Sequence, residues 1–592
     1  MKGQEEGKKK DYLIAKALHK FMWASILASL ATQIAMTTDA IVVSQFIGPE
    51  AISAINLTVP VVMTFHFLMM LFGMGGTVLV AKSLGERDAN TTNSVFTSTL
   101  IGLVAVSVFF SALLLCFSPQ VASFITNDTP VVCDLSLRYL RIMLIGITLT
   151  ILFMTLTNFI KTDGNPQMVM KAVLISSVVN LVLDILLVAV LKTGIEGSAW
   201  ASIIGCVVAL LYCVRHFQSA NNSYHWQVDY KQCHRYILKG VKTGFPMGIN
   251  TLLLGICTYG INSIILGSLG ADGVFVWAVC FQLFLILQMV LGGVATSIYS
   301  IGGLLIGEKD IVGLRLLTNK VMKYIVLSLL AVTLFVIITP ESIGWLFSSE
   351  SAPSDGMLHS ALRIYALLLI PYAVAVVYRI LYQVLGYWTL SVVLSIIHMG
   401  FIVLFVGLLA WLKPEWLWWG FPVSCLFLLV VYWVVTLFIH HKNPDAEVMT
   451  LIPQAADAQS LNFSVKYQTE DVQHALETIS SFLETCDVDP ATSLQINLCC
   501  EELMYNIVTY AVNKDADKHL FDVHIICRDD AVSVLIKDDG KPFNPVIKNA
   551  TINEDGDGLG LALVNMLSNI QYKFMYNQNV VFLTFKREVP AM

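Results

Sequence analysis

The sequence predicts an all-α polytopic membrane protein, with twelve transmembrane helices in two six-helix lobes, followed by a C-terminal α+β domain. Of the 592 residues, 56% are hydrophobic and only 13% are charged, whereas about a quarter of the residues in soluble chains are charged. Apolar segments that can cross a bilayer, roughly 20 residues each, recur up to residue 441 and then give way to short apolar runs. The composition excludes an ordinary cytosolic enzyme, and the net charge of −6 argues against a nucleic-acid partner.

The apolar segments divide the membrane part into a charged N-terminal tail, 1–19, a first lobe, 20–222, and a second lobe, 223–441. Lys and Arg are concentrated in the loops that lie inside when the N-terminus is inside. Because positive loops face the cytoplasm, we expect both termini in the cytoplasm and the chain in the inner (plasma) membrane. The expected spans are 20–46, 52–81, 94–117, 134–160, 168–191, 196–215, 240–268, 275–305, 317–339, 357–385, 389–411 and 416–440.

The two lobes are predicted to be an internal repeat. An even number of spans in each repeat gives both halves the same orientation, so that an axis along the membrane normal relates them. Such a chain encloses a central cavity, as in many secondary transporters, which favours transport over a repeated receptor scaffold. Three features recur at the offset of 222 residues that separates Asp88 from Asp310: LGERD at Asp88 as IGEKD at Asp310, Gly48 as Gly270, and LRI at Arg141 as LRI at Arg363.

Ionisable residues inside the spans indicate where a cation binds. Asp39 lies in the first span, and Asn180 and Asp184 lie on one face of the fifth because they are four residues apart. Acids at membrane depth are costly and mark functional sites. This set can take up a proton or coordinate Na⁺, and a purely structural polar cluster is the alternative. Around the repeat partner of Asp184 the second lobe offers only His398, while Arg379 is expected to extend toward the cytoplasmic interface.

The chain from about residue 15 to 440 resembles the MATE (multidrug and toxic compound extrusion) family. The motifs that carry the resemblance are TDAIVVSQFIGPEAISAINLTVP, LVAKSLGERD, KTDGNPQM and NLVLDILLV. The resemblance implies two six-helix bundles around a V-shaped cavity, and exchange of Na⁺ or H⁺ for amphipathic, often cationic, organic compounds. It also implies a first-lobe cation site formed by Asp39, Asn180 and Asp184, with Ser202 where relatives have a threonine. A lipid-precursor flippase is an alternative, but it would need a cationic cavity.

The C-terminal part is expected to be a linker, 442–460, and a domain, 461–588. Glu502 and Asn506 lie four residues apart on one predicted helix, which suits a metal-bound amide and a carboxylate that polarises water. A carboxylate at the end of a predicted strand, Asp538, precedes Gly540 and can accept a hydrogen bond from a base. The glycines of GDGLG lead into a helix whose N-terminus attracts phosphates; they are Gly556, Gly558 and Gly560.

This ordered set resembles the GHKL ATPase superfamily, and most of all its anti-sigma-factor serine kinases, because of the segment DDGKPFNP at 538–545. The resemblance implies that Asn506 binds Mg²⁺ and that Glu502 is the general base. It assigns adenine to Asp538 and Gly540, and the phosphates of ATP to the three glycines of GDGLG. A nucleotide-sensing domain without turnover is the alternative.

The two parts together predict a cation-coupled exporter with a cytoplasmic ATP-binding domain that is a regulatory or kinase module. The chain has no P-loop motif, so ATP is not expected to power transport. The linker is expected to be flexible and to span about 20–25 Å, which transmits force poorly. The expected partners are a small organic substrate, the lipid bilayer and, for a serine kinase, a small cytoplasmic protein phosphorylated on serine. A membrane sensor kinase is the remaining alternative.

Overall fold

The computed structural model describes residues 2–126, 130–219, 222–229, 231–342, 355–454, 459–511, 519–528, 530–546 and 559–587. The helices are α1 (Lys2–Phe46), α2 (Pro49–Met69), α3 (Gly75–Gly85), α4 (Ala89–Cys116), α5 (Ser118–Thr126), α6 (Pro130–Thr162), α7 (Pro166–Asp184), α8 (Ile195–Phe217), α9 (Cys233–Ser297), α10 (Gly303–Gly307), α11 (Ile311–Ile338), α12 (Asp355–Ala366), α13 (Leu369–Val384), α14 (Trp388–Leu412), α15 (Gly420–Lys442), α16 (Thr469–Thr485), α17 (Pro490–Tyr510) and α18 (Leu559–Leu567).

The membrane part is all helical, as predicted. Eleven helical segments of the described chain are long and apolar enough to cross a membrane. The expected span 275–305 corresponds instead to two shorter apolar segments, Asp272–Leu285 and Leu291–Gly307. Helix α9 contains two spans, which meet at Gly270, where φ is +68°. The residues expected as a tail, 1–19, are helical from Lys2 onward and form the start of α1.

The internal repeat is visible in the backbone. Residues in the left-handed region of φ occur in pairs 222 positions apart, where the sequence also repeats. Glycine occupies two of these turns because it adopts a positive φ without strain. The pairs are Gly48 (φ +119°) with Gly270 (+68°), Arg87 (+58°) with Lys309 (+55°), and Gly164 (+90°) with Gly386 (+95°).

The two lobes touch where the repeated motifs LGERD and IGEKD begin. A Cβ atom on Gly85 would overlap the carbonyl oxygen of Leu304, and one on Gly307 would overlap the carbonyl oxygen of Lys82. Lys82 and Leu304 are themselves repeat partners, so the contact is symmetric about the axis that relates the lobes. Helices α3 and α10 therefore approach closely enough that only hydrogen fits at these two positions.

The C-terminal domain is an α+β fold around one antiparallel sheet. Its strands are β1 (Ser460–Lys466), β2 (Leu520–Cys527), β3 (Ala531–Asp538), β4 (Asn569–Met575) and β5 (Gln578–Lys586), in the order β1-β2-β3-β5-β4. Inward residues of β2 and β3 alternate with the pleat and pack against α16 and α17. The shared core includes Ile479, Ile496, Met504, Val523 and Val534.

The chain forms two compact units. One comprises 21–309 and 318–452, and the other comprises 1–20, 310–317 and 453–592. The expectation of a flexible linker does not hold for its first half, because Ala446, Leu451 and Ile452 are no more than 3% exposed. Ala446 and Leu451 pack in one cluster with Tyr382 and Leu428 of the second lobe. Apolar residues in this segment are thus buried rather than solvated.

Candidate functional site

The carboxyl groups of Asp39 and Asp184 meet inside the first lobe. Asp184, at the end of α7, is 1% exposed, and it forms a hydrogen bond with Asp39 of α1. Such a bond requires a proton on one of the two groups, since ionised carboxylates only accept. The Oγ of Ser198 donates to Oδ1 of Asp39 at 2.8 Å, whereas no described N–H or hydroxyl group donates to either oxygen of Asp184.

Asn180 lies one helical turn before Asp184 and pairs with helix α8. Its Nδ2 donates to Oγ of Ser202 at 3.2 Å, which leaves the hydroxyl oxygen of Ser202 committed to the amide. Helices α7 and α8 approach closely because a Cβ on Gly205 would lie 2.8 Å from the carbonyl oxygen of Ser176. The predicted residues therefore form two adjacent layers, Asp39 with Asp184 and Asn180 with Ser202.

Two residues of this site were missed from the sequence. Ser198 precedes Ser202 by one turn in GSAWAS, and a search for every hydroxyl on the inward face of α8 would have found it. Tyr139 of α6 is 7% exposed and lies within electrostatic range of both Asp39 and Asp184. Nothing in its local sequence distinguishes Tyr139 from the many other tyrosines of the spans.

The first-lobe site has the chemistry of a cation acceptor. Two carboxyl groups side by side cannot both ionise readily in a low-dielectric interior, so the pair retains a proton unless a metal cation replaces it. The free oxygens of Asp184, together with the oxygens of Asp39 and Ser198, are the hard ligands that Na⁺ or a proton would use. The arrangement fits a cation that enters and leaves, because a permanent partner for Asp184 is lacking among the described residues.

A second candidate site lies in the C-terminal domain, on helix α17. Asn506 donates through Nδ2 to Oε1 of Glu502 at 2.8 Å, as expected for residues four apart on one helix face. A Cβ atom on Gly560, at the start of α18, would overlap the Glu502 carboxylate. The structure thus brings together three of the predicted residues, while Gly556 and Gly558 lie outside the described residues.

The end of strand β3 presents Asp538 and Gly540. Oδ1 of Asp538 accepts hydrogen bonds from the Gly540 amide and from Nδ2 of Asn579, both at 2.8 Å. Burial raises the pKa of Asp538 to about 6, although these two donors oppose the shift. Gly540 packs against Ala511, directly after α17, where a side chain would overlap it. Close packing of glycine backbone at two edges of Glu502 and Asp538 fits a nucleotide cradle.

The neighbouring Asp539 is held by the N-terminal helix within the same compact unit. Its Oδ2 accepts from Nζ of Lys16 at 2.6 Å and from the hydroxyl of Tyr12 at 2.7 Å, and His519 lies 3.0 Å from Oδ1. Burial works to raise the pKa of Asp539, but Lys16, Tyr12 and His519 outweigh it and hold the pKa below its usual value. The sequence offered no signal for this contact, because Lys16 and Asp539 are 523 residues apart.

Comparison with known families agrees with both sites. The MatE model matches residues 24–186 and 246–409, one match in each lobe and together more than half of the chain. The model of the histidine kinase-like ATPase domain matches residues 465–585. The first match contains Asp39, Asn180 and Asp184, and the last contains Glu502, Asn506 and Asp538.

Relatives and solved structures share the membrane part. The multidrug export protein MepA of Staphylococcus haemolyticus is 23% identical over 286 residues, which is 48% of this chain and 63% of that protein. MepA of Staphylococcus saprophyticus is 26% identical over 255 residues, 43% of this chain and 56% of that protein. The matched region therefore spans less than two thirds of these relatives.

Two solved structures share the fold. A MOP superfamily transporter from Pyrococcus furiosus superposes with a TM-score of 0.66 at 23% identity and covers 72% of this chain and 96% of that one. An outward-facing multidrug resistance MATE family transporter gives 0.64 at 23% identity, over 70% and 93% of the two chains. The chain belongs to the MatE family of membrane proteins and carries a C-terminal histidine kinase-like ATPase domain.

Proposed function

We propose that the protein is a cation-coupled antiporter that exports amphipathic, cationic organic compounds across the inner (plasma) membrane. The observation that carries the proposal is the buried pair of Asp39 and Asp184, in which neither Asp184 oxygen accepts from a described N–H or hydroxyl group. An uncompensated carboxyl at membrane depth is expensive, and a coupling cation removes that cost each time it binds. The multidrug export function named for the staphylococcal relatives supports the substrate class.

The first-lobe residues would act in sequence through one cation. Asp184 receives a proton or Na⁺, Asp39 shares it, and Ser198 fixes the orientation of Asp39 through its 2.8 Å hydrogen bond. Neutralising the pair lowers the cost of burying it, so occupation favours the conformation in which α1 and α7 pack closely. Release of the cation on the cytoplasmic side restores the charge, which favours binding of a cationic substrate.

Vesicle transport with the full chain tests this proposal. Efflux of a fluorescent organic cation is measured with an imposed pH gradient, an imposed Na⁺ gradient, or neither, without nucleotide. We expect one gradient to drive efflux and the absence of both to stop it. Flux of the cation that ignores both gradients would contradict coupling, and its replacement by flux of a lipid precursor would favour a flippase. Loop-specific labelling on intact cells tests the cytoplasmic position of both termini.

The ATP-binding domain is proposed as a regulatory module rather than the energy source. Glu502, Asn506 and Gly560 come together beside Asp538 and Gly540, and this cradle fits ATP with Mg²⁺ held through Asn506. The bound nucleotide would supply a transferable phosphoryl group, with Glu502 as general base. Lys16 and Asp39 belong to the same helix α1, so a change at Asp539 beside the cradle has a continuous element through which to reach the transporter.

A serine kinase that phosphorylates a small cytoplasmic protein is the second candidate function, favoured by the DDGKPFNP segment. Nucleotide binding to the full chain, by calorimetry with and without Mg²⁺, separates these readings when combined with two variants. We expect Asn506→Ala to remove the Mg²⁺ dependence, and Glu502→Ala to preserve gradient-driven transport while abolishing any phosphoryl transfer. Transport that requires hydrolysis at a constant gradient would show that ATP powers the exporter.

A further inference from the structure

A polar cluster is buried in the second lobe, around Arg379 of helix α13. Arg379 is 7% exposed and His398 of α14 is fully buried. Tyr299, Tyr372, Tyr432 and His398 all lie within electrostatic range of the guanidinium. The rings of Tyr372 and His398 are 5.2 Å apart between centroids. The cluster therefore joins helices α13, α14 and α15 with the segment after α9.

Arg379 does not extend to the membrane surface, contrary to the expectation from the sequence. Side chains on a helix lean toward its N-terminus, and Arg379 forms a hydrogen bond with Tyr372, two turns earlier on α13. Its guanidinium is thus directed away from the helix end at Val384. A solvated head group at the interface would have left the residue exposed.

The cluster has donors but no anion. NH1 of Arg379, the hydroxyl of Tyr432 and Nδ1 of His398 are buried and have no hydrogen-bond partner among the described residues. Tyr372 already accepts from Nε2 of Gln288 at 2.7 Å and interacts with Arg379, so its own O–H hydrogen is free to be donated. Arg379 makes no ion pair with a described carboxylate.

A buried guanidinium without a counter-charge is among the most expensive groups inside a membrane protein. The neutral hydroxyls around it supply lone pairs but no negative charge. Four donors on three helices, facing one positive centre, form the reverse of the first-lobe site, where carboxylate oxygens lack donors. A monovalent anionic group would satisfy all of them at once, because each oxygen or halide accepts several hydrogen bonds.

We propose that the second lobe holds an anion-binding site centred on Arg379, with Tyr372, Tyr432 and His398 as further donors. The ligand is a single anionic group, which is either an inorganic halide or the carboxylate of an aromatic organic molecule. Phe284 packs edge-on against Tyr372, with centroids 5.1 Å apart, so the surroundings suit an aromatic ring. The site is independent of the proposed coupling cation and exists whether or not the chain transports.

Thermal unfolding of the purified full chain tests this site without any transport measurement. The probes are sodium chloride and sodium benzoate, each titrated against sodium gluconate at constant ionic strength, with tryptophan fluorescence as the readout. We expect saturable stabilisation by chloride or by benzoate. Stabilisation by chloride alone identifies an inorganic anion site, and stabilisation by benzoate alone identifies an organic carboxylate site.

Two variants and a control locate the effect. Arg379→Gln is expected to weaken anion binding by about tenfold or more, since a hydrogen bond to a charged group is lost. Arg363→Gln removes an arginine that is half exposed and lies next to Glu341, so it should bind as the wild type does. If Arg379→Gln does not fold, Tyr432→Phe removes one donor at nearly equal volume and should weaken binding several-fold.

The outcomes are decisive in either direction. Saturable stabilisation that disappears in Arg379→Gln, or weakens in Tyr432→Phe, and persists in Arg363→Gln supports the site. Absence of saturable stabilisation by both anions in the wild type overturns it, as does equal stabilisation in wild type and Arg379→Gln. Failure of the antiport proposal would leave this binding result unchanged, and the reverse also holds.

Discussion

The two lobes of this transporter share a backbone but carry opposite polar chemistry. In the first lobe, Asp39 and Asp184 meet, and neither Asp184 oxygen accepts from a described N–H or hydroxyl group. The residues 222 positions further on are Ile261 and Val406, both almost fully buried. In the second lobe, Arg379 and Tyr372 are buried where the first lobe has Thr157 and Thr150. A duplicated fold therefore does not imply two equivalent ion sites.

The symmetric contact between the lobes sharpens this difference. Gly85 and Gly307 each face the partner helix at a position where no side chain fits, so backbone geometry is conserved across the repeat while site chemistry is not. Packing of helices depends on small residues at few positions, whereas a binding site depends on the identity of every polar group. The first constraint is met twice, and the second only once for each kind of charge.

The largest expected effect comes from the carboxyl pair. Asp184→Asn should reduce gradient-driven efflux by about two orders of magnitude or more, as expected when an essential proton-exchanging group is lost. Efflux is measured in vesicles, and folding is checked by size-exclusion chromatography in detergent. Asp134→Asn is the control, because Asp134 is 55% exposed at the outer end of α6. Unchanged efflux in Asp184→Asn would remove the asymmetry between the lobes.

A third buried carboxyl, Asp538, separates the pH response of the ATP-binding domain from that of the lobes. Its pKa is raised to about 6 by burial, and only the ionised form accepts a hydrogen bond from adenine. ATP affinity of the full chain should therefore be about tenfold weaker at pH 5 than at pH 7. Calorimetry at both pH values checks this, and Asp538→Asn should bind weakly and without pH dependence.

The same shift has a consequence for stability with the opposite sign. Because the folded pKa of Asp538 exceeds its ordinary value, this group stabilises the nucleotide-free domain at low pH, and the contribution is lost as pH rises through about 6. Thermal unfolding of the domain within the full chain should show it as a term that Asp538→Asn removes. An ATP affinity that is constant from pH 5 to pH 7 would contradict the assignment of Asp538.

A smaller effect is expected at the contact between the lobes. Gly85→Ala and Gly307→Ala should each cost about 1–3 kcal/mol through overpacking, and the two values should agree because the contact is symmetric. The measurement is thermal unfolding in detergent, with Gly255→Ala as control, since a Cβ there meets nothing within 4 Å. Clearly unequal costs would show that the lobes differ in packing as well as in chemistry.

The smallest effect is expected for a pair of matched serines. Ser202→Ala removes the acceptor of Asn180 and should cost about 0.5–1.5 kcal/mol, with a few-fold loss of transport at most. Ser424, 222 positions further on, only donates to the carbonyl of Phe421 in its own helix, so Ser424→Ala should be close to neutral. Equal effects on transport would argue that Ser202 has no role in cation binding.

Much of the architecture could be predicted from the sequence. Hydropathy alone predicts a polytopic helical chain, and the 222-residue offset predicts the repeat that the left-handed residues Arg87 and Lys309 confirm. The five strands and the flanking helices of the ATPase domain follow from alternation and helical spacing. The linker was predicted wrongly for 443–452, because its short apolar residues Leu451 and Ile452 give no periodic signal although they are buried.

The sequence by itself determined which residue types are present at membrane depth, and in what order the nucleotide motifs occur, because those properties are local. Only the tertiary structure decided which groups meet. Asp39 faces Asp184 rather than Asn180, Arg379 turns inward toward Tyr372, and Lys16 reaches Asp539. Each pairing depends on the direction in which a side chain leaves its helix and on a neighbour far away in the chain. Periodicity and composition carry no information about either.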